Sequence, residues 1–589
     1  MKQSTAGKAM CPAMCLSIVA ALLAAGPARA AVYVVSQTAE GASDTNPGTE
    51  TKPFKTVQRA ADAARAGDTV HVLPGRYEER VRVKESGAEG RPIAFHAMPR
   101  RSAVVGGFDL QGIHVRVAGF EITAGKPAVA VQLEASSCEV LDNYIHDMLV
   151  GVAGTVGRPS ADRSTRDYSS VAHNRIAYNK VYHCEYGFVL GGEDWTVESN
   201  EVDRLFMYAA GRGNDDADYT RFFGKGCVER YNYFHGTLQS ETKSAHVDGI
   251  QTFTNNGEIA QDVLVERNTC FDWGQGCMVE SAPHVGNVRN WTFRNNIYSS
   301  NLPGFKGASG LNLIQTPGVT IEHNTFAGIT WFGAWLRGKE STDGKILGNL
   351  FCDVETSFVD RDRTWPEGSN PVVEHNLSFR ARPLGGAKNL DGVDPLFVDA
   401  EKRNFRLRKG SPAAGAGEDG TTIGALEYPN VYYVDPRHPA AADDPAWGYP
   451  GVPLATLAKA CEVALPGETI VLRGGVYRET LRPASDGVTV RAIEGEKATI
   501  SRADVIEGWR REGEEWWAPV PVEPKSVFRD GRPWTEFTYD KAARRIVTRA
   551  DGDPRLHLFE MVVRARGIDL EGRKDVRLEG ILEAEAPDR

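Results

Sequence analysis

The sequence predicts an all-β solenoid, a parallel β-helix, and three observations carry that prediction. First, one phrase recurs between residues 140 and 376: apolar-x-x-Asn, usually followed by x-apolar. It reads VLDNYI, IAYNKV, VESNEV, VERNTC, FRNNIY, IEHNTF, ILGNLF and VEHNLS, with asparagines at 143, 179, 200, 268, 296, 324, 349 and 376. Second, the spacing suits one solenoid turn: 28, 28, 25 and 27 residues from Asn268 onward, and 21 to 37 before it. Short β-type runs at such a period stack as coils that bury a shared core. Third, no LxxLxL phrase recurs, which sets aside the leucine-rich solenoid. VERYNYF fills the gap in the series, with Tyr231 in the asparagine's place. Asparagine suits the corner between strands because it tolerates φ > 0 and its amide can bond the backbone. Stacked coils then set these amides in a ladder. The uneven early steps imply loops inserted on some coils, and such loops carry function.

Residues 1–30 read as a secretory signal peptide. Lys2 and Lys8 give a charged start, Met14 to Ala25 an apolar run too short to span a bilayer, and Ala28-Arg29-Ala30 a cleavage site before Ala31. The expected location is therefore secreted or periplasmic, with no membrane span. From Pro53, PFKTVQRAADAARAGDTVHVLPGRYEE reads as an amphipathic helix followed by a strand. Val57, Ala60, Ala61 and Ala64 form the helix's apolar stripe, and the helix is assigned as the cap that an open solenoid end requires. The same phrase returns 400 residues later as PLATLAKACEVALPGETIVLRGGVYRE, matching Thr56 with Thr456, Gly67 with Gly467, Tyr77 with Tyr477 and Glu79 with Glu479. The chain thus holds one solenoid over 31–428 and the start of a second over 429–589. The second carries a Trp-rich insertion, ISRADVIEGWRREGEEWWAPV, and a first coil, GIDLEGRKDVRLEGI, that parallels GFDLQGIHVRVAGFEI at Gly107.

These phrases resemble those of secreted right-handed parallel β-helix proteins of the pectate lyase-like superfamily. The shared features are the aromatic-Val strand, the Pro-x-x-Thr helix, the GDTVHVLPGRY strand and the closing phrase DPLFVDAEKRNFRLRKGSPAAGAG. The resemblance implies a right-handed helix and activity on a polysaccharide. In some members a calcium ion held by aspartates works with a lysine base.

Composition bounds the alternatives. The chain has 589 residues, is 41% hydrophobic and 25% charged, and carries a formal charge of −10, so nothing favours nucleic acid as a partner. Seven cysteines follow the signal segment and none has zinc spacing. Cys270 and Cys277 lie close enough in sequence for a disulfide to be considered, but buried thiols are the expectation.

Chemistry is expected around KSAHVDGIQTF, residues 243–253, where Lys243, His246, Asp248 and Gln251 accompany the apolar Val247 and Ile250. Glycine-started strands (GFVLGG, GIQTFT, GCMVES, GLNLIQ, GAWLRG) align the coils and turn Gln251, Met278, Glu280, Asn312, Trp335 and Arg337 outward. Amides, charges and an aromatic along a shallow face suit a polysaccharide. Asp248 and Glu280 are five strand residues apart, about 16 Å, too far to act together in glycoside hydrolysis. A lyase on an acidic glycan fits better: a metal or an arginine neutralises the uronate carboxylate, and a basic side chain removes the adjacent proton. The insertion GRGNDDADYTRFFGKG, read as a loop, places Asp215, Asp216 and Asp218 within reach of Asp248 as oxygen ligands for Ca²⁺. Lys243 is the first base candidate and His246 the next. A glycoside hydrolase on this fold and a non-catalytic carbohydrate-binding solenoid stay open as alternatives.

Overall fold

The computed structural model describes residues 30–124, 129–154, 158–159, 166–208, 215–243, 245–300, 308–359, 368–549 and 552–586. Met1 to Arg29 of the predicted signal segment and Gly211 to Asn214 of the predicted loop lie outside them.

The first unit is a right-handed parallel β-helix built around one 35-stranded sheet system. Three strand stacks run along it. One passes from Val32–Val35 through Thr69–Val72 to Val372–Glu374. The second follows the asparagine corner, from Glu121–Ile122 to Leu390–Asp391. The third carries the glycine-started strands and ends at Thr356–Val359. The helix Val57–Ala63 caps the open end: Val57, Ala60, Ala61 and Ala64 are buried.

Nine links of an asparagine ladder join ten residues: 143, 179, 200, 232, 268, 296, 324, 349, 376 and 389. In each link the Oδ1 of one coil accepts the backbone N–H of the preceding asparagine at 2.8–3.0 Å and its Nδ2 at 3.0–3.1 Å. Two details correct the sequence reading. Asn232, not Tyr231, occupies the ladder position. The left-handed backbone belongs to the residue before the asparagine at every ladder position but the last, including Asp142, Tyr178, Ser199, Tyr231, Arg267 and His323. The asparagine itself is needed for its amide, which reaches both the neighbouring coil and an inward carbonyl such as Glu229 O, 2.9 Å from Asn268 Nδ2.

The second unit repeats the first cap in hydrogen-bonding detail. Thr56 and Thr456 each accept from the N–H three residues on, at 3.2 and 3.0 Å. Glu79 and Glu479 each accept the first two helical N–H groups, at 2.8–2.9 Å. Arg577–Glu579 and Ile581–Ala584 then add a further coil. The insertion forms antiparallel sheets, pairing Arg510–Glu512 with Glu515–Pro519. This unit does not stand apart. It docks on the left-handed corner of the first: Arg437 Nη2 donates to Tyr178 OH at 2.6 Å, Arg473 Nη1 to Ser199 Oγ at 3.2 Å, and Arg267 Nη1 to Tyr433 OH at 2.7 Å. Phe397 and Phe405 of the first unit's closing segment, with Tyr449 and Val452 of the second unit, lie over Phe271, Ile297, Leu350 and Leu377 of the second stack. All seven cysteines after the signal segment are buried thiols, Cys270 and Cys277 included.

The Glu229 carboxyl lies inside the solenoid. Glu229 pairs in register with Val197 and Val265, is 2% exposed, and burial pushes its pKa up to about 8.

Two outcomes are expected. Asn268→Ala leaves several buried partners unsatisfied and should cost about 3 kcal/mol, read as a lower denaturation midpoint. Glu229 holds a proton in the folded state between its unfolded pKa, about 4.3, and about 8. The unfolded chain has released that proton over the same window, so stability falls as pH rises across it. Glu229→Gln should flatten that slope in thermal melts taken from pH 5 to 8.

Candidate functional site

The predicted site gathers on two consecutive strands, Asp216–Lys225 and His246–Thr252, which pair in parallel register. Asp216 lies opposite His246, Asp218 opposite Asp248, and Arg221 opposite Gln251. Asp216 and Asp218 are therefore strand residues, correcting the loop expectation. The segment from Asp216 has inward Ala217 and Tyr219 and a β-branched Thr220, a strand pattern that pairs on both sides.

Residues three apart on a straight strand face opposite sides. Here they touch: Arg221 Nε donates to Asp218 Oδ2, and Gln251 Nε2 donates to Asp248 Oδ2 at 3.0 Å. The backbone bends between them. At Gly249 a Cβ would sit 2.3 Å from Gly276 O of the next coil, so that position of the second strand takes only glycine, whereas Tyr219 stands in the same register on the first. The same bend lets Val247 and Ile250 both be buried.

Asp218 and Asp248 are both fully buried. Burial pushes Asp218 up to about 7; burial and the neighbouring Asp218 and Asp216 charges hold Asp248 well above the usual carboxylate range. Two like charges on adjacent strands cannot both persist at neutral pH without cost. Arg221 offsets part of it. Its Nη2 donates to Asp216 Oδ2 at 2.8 Å and its guanidinium lies 4.7 Å over the Tyr186 ring. Asp218 Oδ1, Asp248 Oδ1 and Gln251 Oε1 are buried acceptors with no hydrogen-bond partner among the described residues.

Arg221 was missed by the sequence reading. The signal was present: Asp218-Tyr-Thr-Arg221 and Asp248-Gly-Ile-Gln251 are the same D-x-x-R/Q phrase on successive coils.

The other candidates fall as follows. His246 is largely exposed, with Nδ1 3.6 Å from Asp216 Oδ1. Lys243 is off the strand: it caps the short helix Gln239–Thr242 at φ 57°, is exposed, and forms no ion pair with a described residue. The Asp215 carbonyl accepts the His246 N–H at 2.9 Å, which places its backbone at the edge of the cluster. Gln251, Met278, Asn312 and Trp335 form one register line across four coils. Gln251 and Asn312 are less open than expected, at 8% and 7% exposure, because the bend folds Gln251 onto Asp248 and Asn312 Nδ2 donates to Met278 Sδ. Glu280 and Arg337 share a second line with Ile314 between them. The Arg337 guanidinium lies 4.6 Å over the Trp335 ring.

Among the described residues, Glu201, Asp203 and His235 bring ligand atoms within 4.8 Å of one another. The Lys180 ammonium already fills that place, 3.0 Å from Glu201 and 3.8 Å from Asp203.

A family model described as a protein of unknown function, DUF1565, matches residues 39–113. The uncharacterized protein YwoF of Bacillus subtilis (strain 168) is 43% identical over 65 residues, 11% of this chain and 14% of that protein. Both matches fall in a small part of the chain. Among solved structures, a PL6 family alginate lyase, AlyGC, is 16% identical with a TM-score of 0.40, over 75% of this chain and 67% of that one. The pectate lyase Pel9A is 15% identical with a TM-score of 0.39, over 67% and 96%. A GH136 lacto-N-biosidase from Eubacterium ramulus is 15% identical with a TM-score of 0.36, over 58% and 68%. With its three parallel stacks, capping helix and asparagine ladder, the chain is a right-handed parallel β-helix.

Proposed function

We propose that the protein is a polysaccharide-active enzyme that cleaves a uronate-containing glycan by β-elimination at the Asp216–Asp218–Arg221–His246–Asp248 cluster. The observation that supports this reading is the meeting of three chemistries on two coils: a guanidinium, carboxyl groups that stay protonated near neutral pH, and an exposed imidazole, His246. Elimination needs all three. Arg221 neutralises the uronate carboxylate and so acidifies the adjacent C–H. Lys243 or His246 removes that proton, the latter oriented by Asp216. As the glycosidic C–O bond breaks and the sugar double bond forms, the neutral carboxyl of Asp218 protonates the departing oxygen. Because Asp218 and Asp248 are fully buried, the substrate carboxylate must draw Arg221 outward, and protonation of Asp218 is what loosens its hold. The line through Gln251, Met278, Asn312 and Trp335, with Glu280 and Arg337 beside it, binds neighbouring sugars by hydrogen bonds and ring stacking.

Calcium is proposed for the same cluster. With Asp218 and Asp248 deprotonated, a state distinct from the one in which Asp218 is the acid, their buried oxygens and that of Gln251, which have no donor among the described residues, are the hard ligands this cation takes, and Asp216 and Asp215 stand beside them. When bound, it would supply positive charge beside the uronate carboxylate. Calcium titration followed by calorimetry tests this directly, with Asp248→Ala as the variant expected to lose the heat.

One observation favours a second reading, glycoside hydrolysis. Asp218 and Asp248 are direct strand neighbours, about 4.8 Å apart at Cα, with both pKa values raised and unequal surroundings. Retaining hydrolases hold two carboxyl groups about 5–5.5 Å apart. A glycan panel separates the readings. Elimination gives rising ultraviolet absorbance from the unsaturated product, hydrolysis gives reducing ends without it, and a binding module gives column retention and neither.

For elimination, Lys243→Ala and His246→Ala should differ. The true base loses about 10²–10⁴-fold in kcat with substrate binding largely kept, and the other residue changes little. Asp248→Ala should weaken metal and substrate binding together. Since Asp218 acts protonated with a pKa of about 7, kcat/KM should fall as pH rises through that value. A rate that instead climbs steadily from pH 6 to 9 would remove Asp218 as the acid.

A further inference from the structure

The structure holds a second polar cleft far from this cluster. It lies between the cap of the first unit and the Trp-bearing insertion of the second, with a volume of about 960 Å³. Six coil steps separate Thr69–Val72, beside the cleft, from Val228–Arg230, the strand that follows Asp216–Lys225. At about 4.8 Å per step that is about 29 Å along the axis.

The cleft is built by both units. Val34 and Leu73 of the first pack against Leu556 of the second, and Leu73 lines the cleft. Glu50 accepts the Asp553 N–H and ties the two walls together. One wall carries Trp516 on the strand Glu515–Pro519, with the Arg511 and Arg555 guanidinium groups 5.9 and 5.2 Å from its ring centroid. Arg555 is neutralised by Asp553, with Nε 2.9 Å from Oδ1. Arg511 is exposed; its Nε donates to Gly513 O at 3.2 Å, and it has no carboxylate partner among the described residues. Trp509 also lines the cleft, 8% exposed, with a buried Nε1 that has no hydrogen-bond partner among the described residues. The opposite wall offers the hydroxyl-bearing Ser36, Thr38 and Thr51.

We infer that this cleft is a second, non-catalytic binding site for an oligosaccharide bearing carboxylate groups. A sugar ring needs a flat apolar partner and hydroxyl partners, and the two walls supply one each. An uncommitted guanidinium matches a carboxylate. Four arginines face four acids in the lining, so its formal charge is zero. That suits a chain with spaced carboxylates and gives no advantage to a dense polyanion such as a nucleic acid. The inference is independent of the chemistry proposed for the Asp218–Asp248 cluster.

The test uses full-length protein carrying Asp248→Asn, so that the probes are not turned over. It is titrated calorimetrically with tetrasaccharides of galacturonate and of mannuronate, and with cellotetraose. At least one uronate tetrasaccharide is expected to bind. Arg511→Gln and Trp516→Ala should each weaken that event tenfold or more, Arg221→Ala should leave it unchanged, and cellotetraose should bind at least tenfold more weakly. Arg511 is exposed, so its variant reports on binding even if Trp516→Ala disturbs the hairpin. The inference is overturned if neither uronate binds, if Arg221→Ala removes the event while the cleft variants keep it, or if cellotetraose binds equally and Arg511→Gln changes nothing. Absence of turnover by the unmodified protein would instead count against the proposed reaction and leave this readout untouched.

Discussion

The asparagine ladder is the constraint on which the rest depends. A solenoid must turn its chain between strands at the same place on every coil, and every turn leaves backbone groups buried between neighbours. Here the amide of one asparagine takes up both the N–H and the side chain of the coil before it and reaches an inward carbonyl as well. Each link is satisfied only if the coils stay in register, so the ladder sets spacing and alignment together. Ten residues repeat that arrangement, although the chain between consecutive ones varies from 13 to 36 residues. The corner holds constant while loops elsewhere absorb the difference.

Register, once held, creates the candidate site. No single strand carries a complete set of reactive groups. Asp216, Asp218 and Arg221 come from one coil and His246, Asp248 and Gln251 from the next, and the parallel pairing brings each opposite a partner. The bend at Tyr219 on one coil and Gly249 on the next then folds residues three apart onto each other. That packing buries the two central carboxyl groups and raises their pKa values, because each is shielded from water and lies beside other acids. A flat face on a straight solenoid could not achieve this degree of burial.

The second unit uses the surface that the ladder leaves behind. Residues just before the asparagines adopt left-handed backbone and turn outward, and Arg437, Arg473, His438 and Tyr433 dock on that column. The first unit's closing segment and the second unit together cover apolar residues on the second stack that would otherwise face water. The two caps, alike in their capping hydrogen bonds, therefore play different parts: one closes an open end, and the other lies along the side of the first solenoid, where its insertion forms a wall of the Trp516 cleft.

The sequence by itself determined the repeat and its consequences. The apolar-x-x-Asn phrase, the 400-residue offset between caps and the glycine-started strands specify parallel coils, capping helices and the outward line through Gln251, Met278, Asn312 and Trp335, because local pattern and period decide those features. The burial of Asp218 and Asp248, the pairing of Arg221 with Asp216 and Asp218, and the docking of the second unit belong to the tertiary structure alone. Asp218 and Asp248 lie 30 residues apart in sequence, and Arg437 and Tyr178 lie 259 apart. The side chain nearest an aspartate depends on which coil lies beside it and where the strand bends. Even the ladder kept one detail from the sequence: Tyr231 and Asn232 are adjacent, and only the stacked amides decide which of them turns the corner and which holds it.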